Sequence, residues 1–272
     1  MRWEHLTVPD FERAVAQCQG VGVIPVGVIE PHASHLPLGT DMLAAHWTAC
    51  QAARQEPAIV FPPYPWGINH EGAHLPGAVV LRRELAFALL ENLCDEMGRN
   101  GLRKIVLLSG HGGNRYFLPL FVQTLMEKER QYCVYYAQLP YFEKAREVLE
   151  TKETGHACEA ETSTLLHLHP ELVKMEAVPP QPFTSLKRNA DLAAAGAYSP
   201  VDWYAMYPRM YVGDARPSTA AKGQVLAEHR VAALARLLRA VKQDQVTAAL
   251  MAEFQGGAKS PRSPWEHTRG ES

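Results

Sequence analysis

The chain has 272 residues, 47% of them hydrophobic and 21% charged, with a formal net charge of −2. This is an ordinary globular composition, long enough for one large domain, and its charge balance excludes a polybasic nucleic-acid or anionic-membrane binder. No apolar run reaches the ~18 residues of a membrane span, and the polar start Met1-Arg2-Trp3-Glu4-His5 is not a signal peptide. Five scattered cysteines form neither a CxxC site nor a disulfide framework, so reduced thiols in a cytoplasmic protein are expected.

In chain order, residues 11–17 read as a short helix and residues 21–29 as a buried strand. The strand runs into Glu30-Pro31-His32-Ala33-Ser34-His35-Leu36-Pro37-Leu38-Gly39-Thr40-Asp41. In extended chain, side chains at i and i+2 point the same way, so Glu30 and His32 face one side together. Asp41 rejoins them after a short loop. Carboxylates and imidazoles at this density are suitable ligands for a divalent metal. Burying Glu30 with no partner would be costly. Residues 41–55 form an alanine-rich helix with Thr40 or Asp41 as its cap.

Residues 58–61 are a second strand, stopped by Pro62-Pro63. The polar, proline-bounded loop that follows offers His70, Glu71 and His74 as substrate contacts. Residues 82–97 are an amphipathic helix, with Gly98 and Gly101 bracketing its end. Residues 104–109 are the clearest strand. It leads into Ser109-Gly110-His111-Gly112-Gly113-Asn114, where Gly112 and Gly113 permit close backbone approach to a ligand and Asn114 opens a helix. Taken alone this loop could be an anion cradle, but it lacks the Lys-Ser/Thr of a P-loop and the G-x-S-x-G of a serine hydrolase.

Residues 114–130 are helical and residues 132–139 form a fourth strand. Next comes Thr154-Gly155-His156-Ala157-Cys158-Glu159-Ala160-Glu161-Thr162-Ser163, polar residues leading into a helix over 157–169. Glu159 and Glu161 lie about 200° apart on that helix, so only one of them points at a shared site. His156 precedes the positive helix end, which favours a neutral imidazole. A last helix spans 219–243. His5, His46, His167, His169, His229 and His267 read as ordinary surface or core histidines. Strands alternating with helices predict an α/β fold, a three-layer α/β/α sandwich around a mostly parallel sheet. One domain is expected over residues 1–254, with 178–217 a loop-rich insertion or lid and 255–272 a mobile tail.

The three constellations resemble the motifs of the creatininase (creatinine amidohydrolase) family. Glu30, His32, His35 and Leu36 to Asp41 fit its first motif, E-x-H-x-x-H-L-P-L-G-T-D. Gly110, His111 and Asn114 fit G-H-x-x-N, and His156, Ala157, Glu161, Thr162 and Ser163 fit H-A-x-x-x-E-T-S. Gly213-Asp214 followed by Ala221-Lys222-Gly223 is similar to the closing segment.

The resemblance implies the family's creatininase-like fold and a centre of one or two divalent ions (zinc, manganese or iron). Glu30, Asp41 and His111 would hold one ion, and His32 and a bridging Asp41 the second. Creatinine amidohydrolase carries a glutamate two residues after the second-motif histidine. This chain has Gly113 there, and Glu161 would supply the missing carboxylate, as in many family members. Pro31 and Ala33 replace the usual residues flanking His32, and Gly72 replaces a histidine.

The implied activity is hydrolysis of a C–N amide bond in a small molecule, a cyclic amide or formamide, by metal-activated water. His156 would be the proton shuttle. Gly112, Gly113 or Asn114 would steady the oxyanion. The resemblance also implies a homo-oligomer, typically a hexamer. A peptidase trimming a small peptide, a non-catalytic metal-binding scaffold and a nucleotide-binding module are the competing readings.

Overall fold

Four strands, β1 (Val21–Val26), β2 (Ile59–Val60), β3 (Lys104–Ser109) and β4 (Cys133–Ala137), pair in parallel in the order β2-β1-β3-β4. The computed structural model describes residues 1–139 and 142–263. α1 (Val8–Gln17) precedes β1, and α2 (Thr40–Gln55), α3 (Arg83–Arg99) and α4 (Asn114–Thr124) lie between successive strands. After β4 come α5 (Phe142–Val148), α6 (Glu159–Leu168), α7 (Ala190–Ala194), α8 (Asp202–Met206), α9 (Ala220–Gln243) and α10 (Val246–Lys259).

Side chains alternate across each strand, and the alternation divides the interior into two cores. Ile24, Val26, Ile105 and Leu107 pack with Ala14 of α1, Leu90 and Met97 of α3, and Phe117 and Phe121 of α4. Val21, Val23, Val106 and Leu108 face the other way, onto Ala49 and Ala52 of α2 and Leu234 and Leu238 of α9. The result is the expected three-layer α/β/α sandwich. All six residues of β1 are buried, as a central parallel strand covered on both faces requires.

β1 is shorter than the apolar run predicts. After Val26 the chain leaves the ladder, and Val28 and Ile29 make single antiparallel bridges to Trp66 and Val79. The departure occurs at Gly27, where a Cβ would collide with the backbone of Met42. At the end of β3, a Cβ on Gly110 would lie 2.8 Å from the Asp41 carbonyl and 2.6 Å from Ala45 Cβ. These two glycines let the first turn of α2, which carries Asp41, press against the carboxyl ends of both central strands.

Other differences lie after β3. α4 stops at Thr124 and a single 3₁₀ turn, Leu125–Glu127, follows it. α5 is short and α10 runs through Gly256 and Gly257, and neither was expected. The domain boundary expected at 254 falls inside α10, and residues 264–272 of the expected tail lie outside the described residues. The 178–217 segment contains α7 and α8 and is tied down by backbone bonds from Ala33 to Met210 and from Val212 to His156. Four of the five cysteines are buried and all are free thiols. No helix among the described residues is long and apolar enough to cross a membrane.

α6 is held against α9 at Gly223, where an added Cβ would run into the Ser163 carbonyl. On an open helix Gly→Ala stabilises by about 1 kcal/mol. Here Gly223→Ala is expected to lower the melting temperature instead, as overpacking by about 1–3 kcal/mol would. A thermal melt of the variant beside wild type checks the sign.

Candidate metal centre

The carboxyl ends of β1 and β3 deliver the first two groups. Glu30, four residues past β1, is wholly buried, and neither carboxylate oxygen has a hydrogen-bond partner. His111, two residues past β3, points Nδ1 at Glu30 Oε1 (3.0 Å) and Asp41 Oδ2 (2.9 Å). His32, also wholly buried, approaches from the other side, its Nε2 lying 3.3 Å from Asp41 Oδ1 and 3.9 Å from Glu30 Oε1. Asp41 therefore presents one oxygen to each imidazole, the arrangement of a bridging carboxylate. Glu161, in the first turn of α6, completes the far side with Oε2 at 3.8 Å from His32 Nε2. The same oxygen accepts the Ala157 backbone N–H at 2.6 Å, so the carboxylate also satisfies an open donor at the helix start.

Among the described residues, three triplets of ligand atoms lie within 4.8 Å of one another: Glu30, His32 and His156; Glu30, Glu71 and His111; and His32, Asp41 and Glu161. They share members and form one continuous cluster.

The electrostatics show what the cluster lacks. Burial raises the Glu30 pKa. Burial also raises that of Glu161, to about 7, against the pull of His32. Burial opposes an imidazolium at His32, yet Asp41, Glu161 and Glu30 outweigh it and raise its pKa to about 10. His111 is likewise raised well above its usual value, with Glu30 and Asp41 overcoming burial. Burial pushes Asp41 up, but His32 and His111 carry it well below the usual carboxylate range. Without an ion, two imidazolium protons neutralise a nest of carboxylates. The orphaned atoms Glu30 Oε1 and Oε2 and His32 Nε2 mark where a cation would replace them. The donor set, His nitrogen with carboxylate oxygen, fits zinc, manganese or iron.

His156 stacks on His32, ring centroids 4.1 Å apart. Its Nε2 bonds the Pro31 carbonyl at 2.7 Å, so the proton sits there and Nδ1 is left bare, 3.7 Å from Glu30 Oε1. Burial, reinforced by the His32 charge, pushes its pKa down to about 3 and keeps the ring neutral. Trp203 of α8 sets its edge against the same ring, with centroids 5.9 Å apart.

The other expected site residues are distributed unevenly. Glu71 reaches His111 Nε2 at 3.2 Å. His70 is exposed, and His74 points away to the Pro208 carbonyl and the Tyr204 ring. Asn114 is buried and donates its amide to the Val26 carbonyl, pinning the start of α4 to the end of β1. Gly112 borders a cavity of about 140 Å³ lined by Asp41, His111, Glu161, Gln138 and Arg230 among others, whereas Gly113 and Asn114 do not.

His35 bonds Thr162 Oγ1 at 2.8 Å and so ties the first motif to α6. Glu159 turns away from the cluster to Lys222 (2.5 Å), Thr151 and the Glu150 N–H. Gln138 and Arg230 were not foreseen, because no spacing links them to the motifs.

A family model described as creatinine amidohydrolase (Creatininase) matches residues 4–238. The chain belongs to the creatininase family. Its curated relatives include a 3-dehydro-scyllo-inosose hydrolase of Thermotoga maritima, 27% identical over 89% of this chain and 83% of that one. They also include a mycofactocin precursor peptide peptidase of Mycolicibacterium smegmatis, 32% identical over 55% of this chain and 58% of that one. Among solved structures, a Bacteroides fragilis protein provisionally described as a creatinine amidohydrolase is 30% identical, with a TM-score of 0.73 over 84% of this chain and 91% of its own. A mutant creatininase solved in a two-zinc form shares the fold, with a TM-score of 0.74 at 23% identity over 89% and 98% of the two chains.

An ion that binds only the folded creatininase-family chain stabilises it by mass action, by about 2.7 kcal/mol at 100 times its Kd. Zinc or manganese is therefore expected to raise the melting temperature of chelator-stripped protein. Asp41→Asn should abolish that rise. A melting temperature indifferent to both chelator and ion would count against the centre.

Proposed function

We propose that this creatininase-family chain is a metal-dependent amidohydrolase that cleaves a C–N amide bond, in a cyclic amide or formamide, of a small molecule. One observation carries the reading: Glu30 and His32 after β1, Asp41 on α2, His111 after β3 and Glu161 on α6 converge from four places in the chain, with buried ligand atoms left unpartnered. Such atoms are costly unless something binds them. The neighbouring cavity of about 140 Å³ is small beside the roughly 300–1,000 Å³ of sites for drug-sized ligands. That favours a compact substrate over a peptide.

A bound divalent cation supplies Lewis acidity, making water acidic near neutral pH and polarising an amide carbonyl. The chain's own residues do the rest. Glu30, Asp41 and His111 would hold one ion, and His32, Asp41 and Glu161 a second. His156 is the proton carrier: its tautomer is set by the Pro31 carbonyl, and the bare Nδ1 faces the cluster. With its proton affinity lowered by burial, it would hold a proton from the attacking water only in passing and give it up readily to the leaving nitrogen. The Gly112 backbone, open toward the cavity, is the oxyanion donor this geometry favours over Asn114, whose amide is engaged by Val26. Trp203 and the backbone bonds of the 178–217 segment close the site on the His156 side and limit water.

Self-assembly belongs to the same reading. Val246, Leu250 and Phe254 expose an i, i+4, i+8 apolar stripe on α10, and Tyr116 and Leu120 are exposed on α4.

A screen of the zinc- and manganese-loaded protein over cyclic amides, formamides and short peptides should give turnover with one of the first two. Turnover of peptides alone would replace this reading with the peptidase. On the substrate found, His156→Gln is expected to lower kcat by about 10²–10⁴-fold with bound ion unchanged. Full activity in that variant would remove His156 from the proton path.

A further inference from the structure

Two features of the centre are explained together by a single contact. The first is Glu71, which lies in a 3₁₀ turn (His70–Gly72) far in sequence from every motif. The second is Gly113, two residues past His111 in the loop that follows β3. A Cβ at Gly113 would lie 2.5 Å from His111 Nε2, 2.9 Å from the Ile68 carbonyl and 3.0 Å from Glu71 Oε1. The space a side chain at 113 would need is therefore taken by the meeting of His111 and Glu71.

The two nitrogens of His111 have separate tasks. Nδ1 lies against Glu30 and Asp41, the carboxylates that would share an ion with it. An imidazole that ligates through Nδ1 must be neutral and must carry its proton on Nε2. Nε2 is buried, and the carboxylate within ion-pair distance of it is Glu71, at 3.2 Å but off the axis of a good hydrogen bond. Metal-ligating histidines generally donate their second N–H to a carboxylate or carbonyl, which fixes the tautomer and raises ligand basicity. Glu71 is partly exposed, with about a quarter of its side chain accessible, so its carboxylate keeps part of its hydration beside the ring.

We propose that Glu71 is the positioning residue of the metal centre: it accepts the His111 Nε2–H and orients Nδ1 toward the ion, in a space that Gly113 keeps open. This rests on the metal reading of the site and assigns Glu71 a role other than substrate contact.

The test uses the full chain, stripped by chelator and titrated with zinc against a chromophoric competitor, so that affinity and stoichiometry are read without turnover. Glu71→Ala is expected to weaken zinc by 10–100-fold while reaching the wild-type number of ions at saturation. Glu71→Gln, whose amide oxygen still accepts the Nε2–H, should recover most of that loss. Gly113→Ala, which presses a carbon onto the same nitrogen, should weaken zinc in the same range.

Wild-type affinity in Glu71→Ala, alongside loss of an ion in His111→Ala, would overturn the proposal and leave the metal centre standing. Loss of a whole equivalent at saturation in Glu71→Ala would also overturn it, by making Glu71 a ligand. Unaltered zinc binding in His111→Ala would remove the metal reading and this proposal with it.

Discussion

The structure is organised around carboxylates taken out of water at one point. Glu30 is wholly buried and Asp41 nearly so, and an unpaired carboxylate in such surroundings costs several kcal/mol even after relaxation. His32 and His111 offset that charge by holding protons, an arrangement a divalent cation would replace. A folded core accepts this concentration of like charge only if the opposite charge is held within 3 to 4 Å from several directions.

The parallel sheet meets that requirement. Open α/β sheets place their sites at the carboxyl ends of the strands, and here β1 leads to Glu30 and His32 while β3 leads to His111. Asp41 arrives on the first turn of α2, which Gly27 and Gly110 allow to lie against both strand ends. Glu161 arrives on α6, fixed from below by Gly223 of α9 and from the side by the His35–Thr162 bond. Among the described residues, none of the candidate ligand triplets draws on the 178–217 segment. Its backbone ties to Ala33 and His156 and its Trp203 edge hold the first and third motifs in register above the sheet.

How much of this was readable before folding depended on how local the signal was. β3, α2, α3 and α9 were legible because their apolar periods run for several turns or strand positions. β1 was overextended because Val28 and Ile29 continue the apolar run, and only packing against Met42 shows that the chain leaves the sheet at Gly27. α5, α7, α8 and α10 were invisible for a different reason. α5, α7 and α8 are too short to show a period and hold their conformation through neighbours rather than through propensity, and α10 runs through Gly256 and Gly257, which read as a helix break. Among site residues, Glu30, His32, Asp41 and His111 stood in dense motifs. His74 and Glu71 shared one polar loop, and nothing in that loop could tell that one would face the cluster and the other Pro208.

The sequence by itself therefore determined the order of layers, the three motifs and the chemical type of the ligands, because those are properties of residue identity and short spacing. Tertiary structure decided partnership. It sent Glu161 to His32 and Glu159 to Lys222, although the two are neighbours on one helix turn. It turned the Asn114 amide to Val26 and left Nδ1 of His156 bare. It also brought Glu71 to His111 across the gap at Gly113. The reason is that each of these choices is a contact between segments tens of residues apart. Which of two similar side chains makes such a contact depends on the angle at which whole elements pack, and neither residue's own neighbours encode that angle.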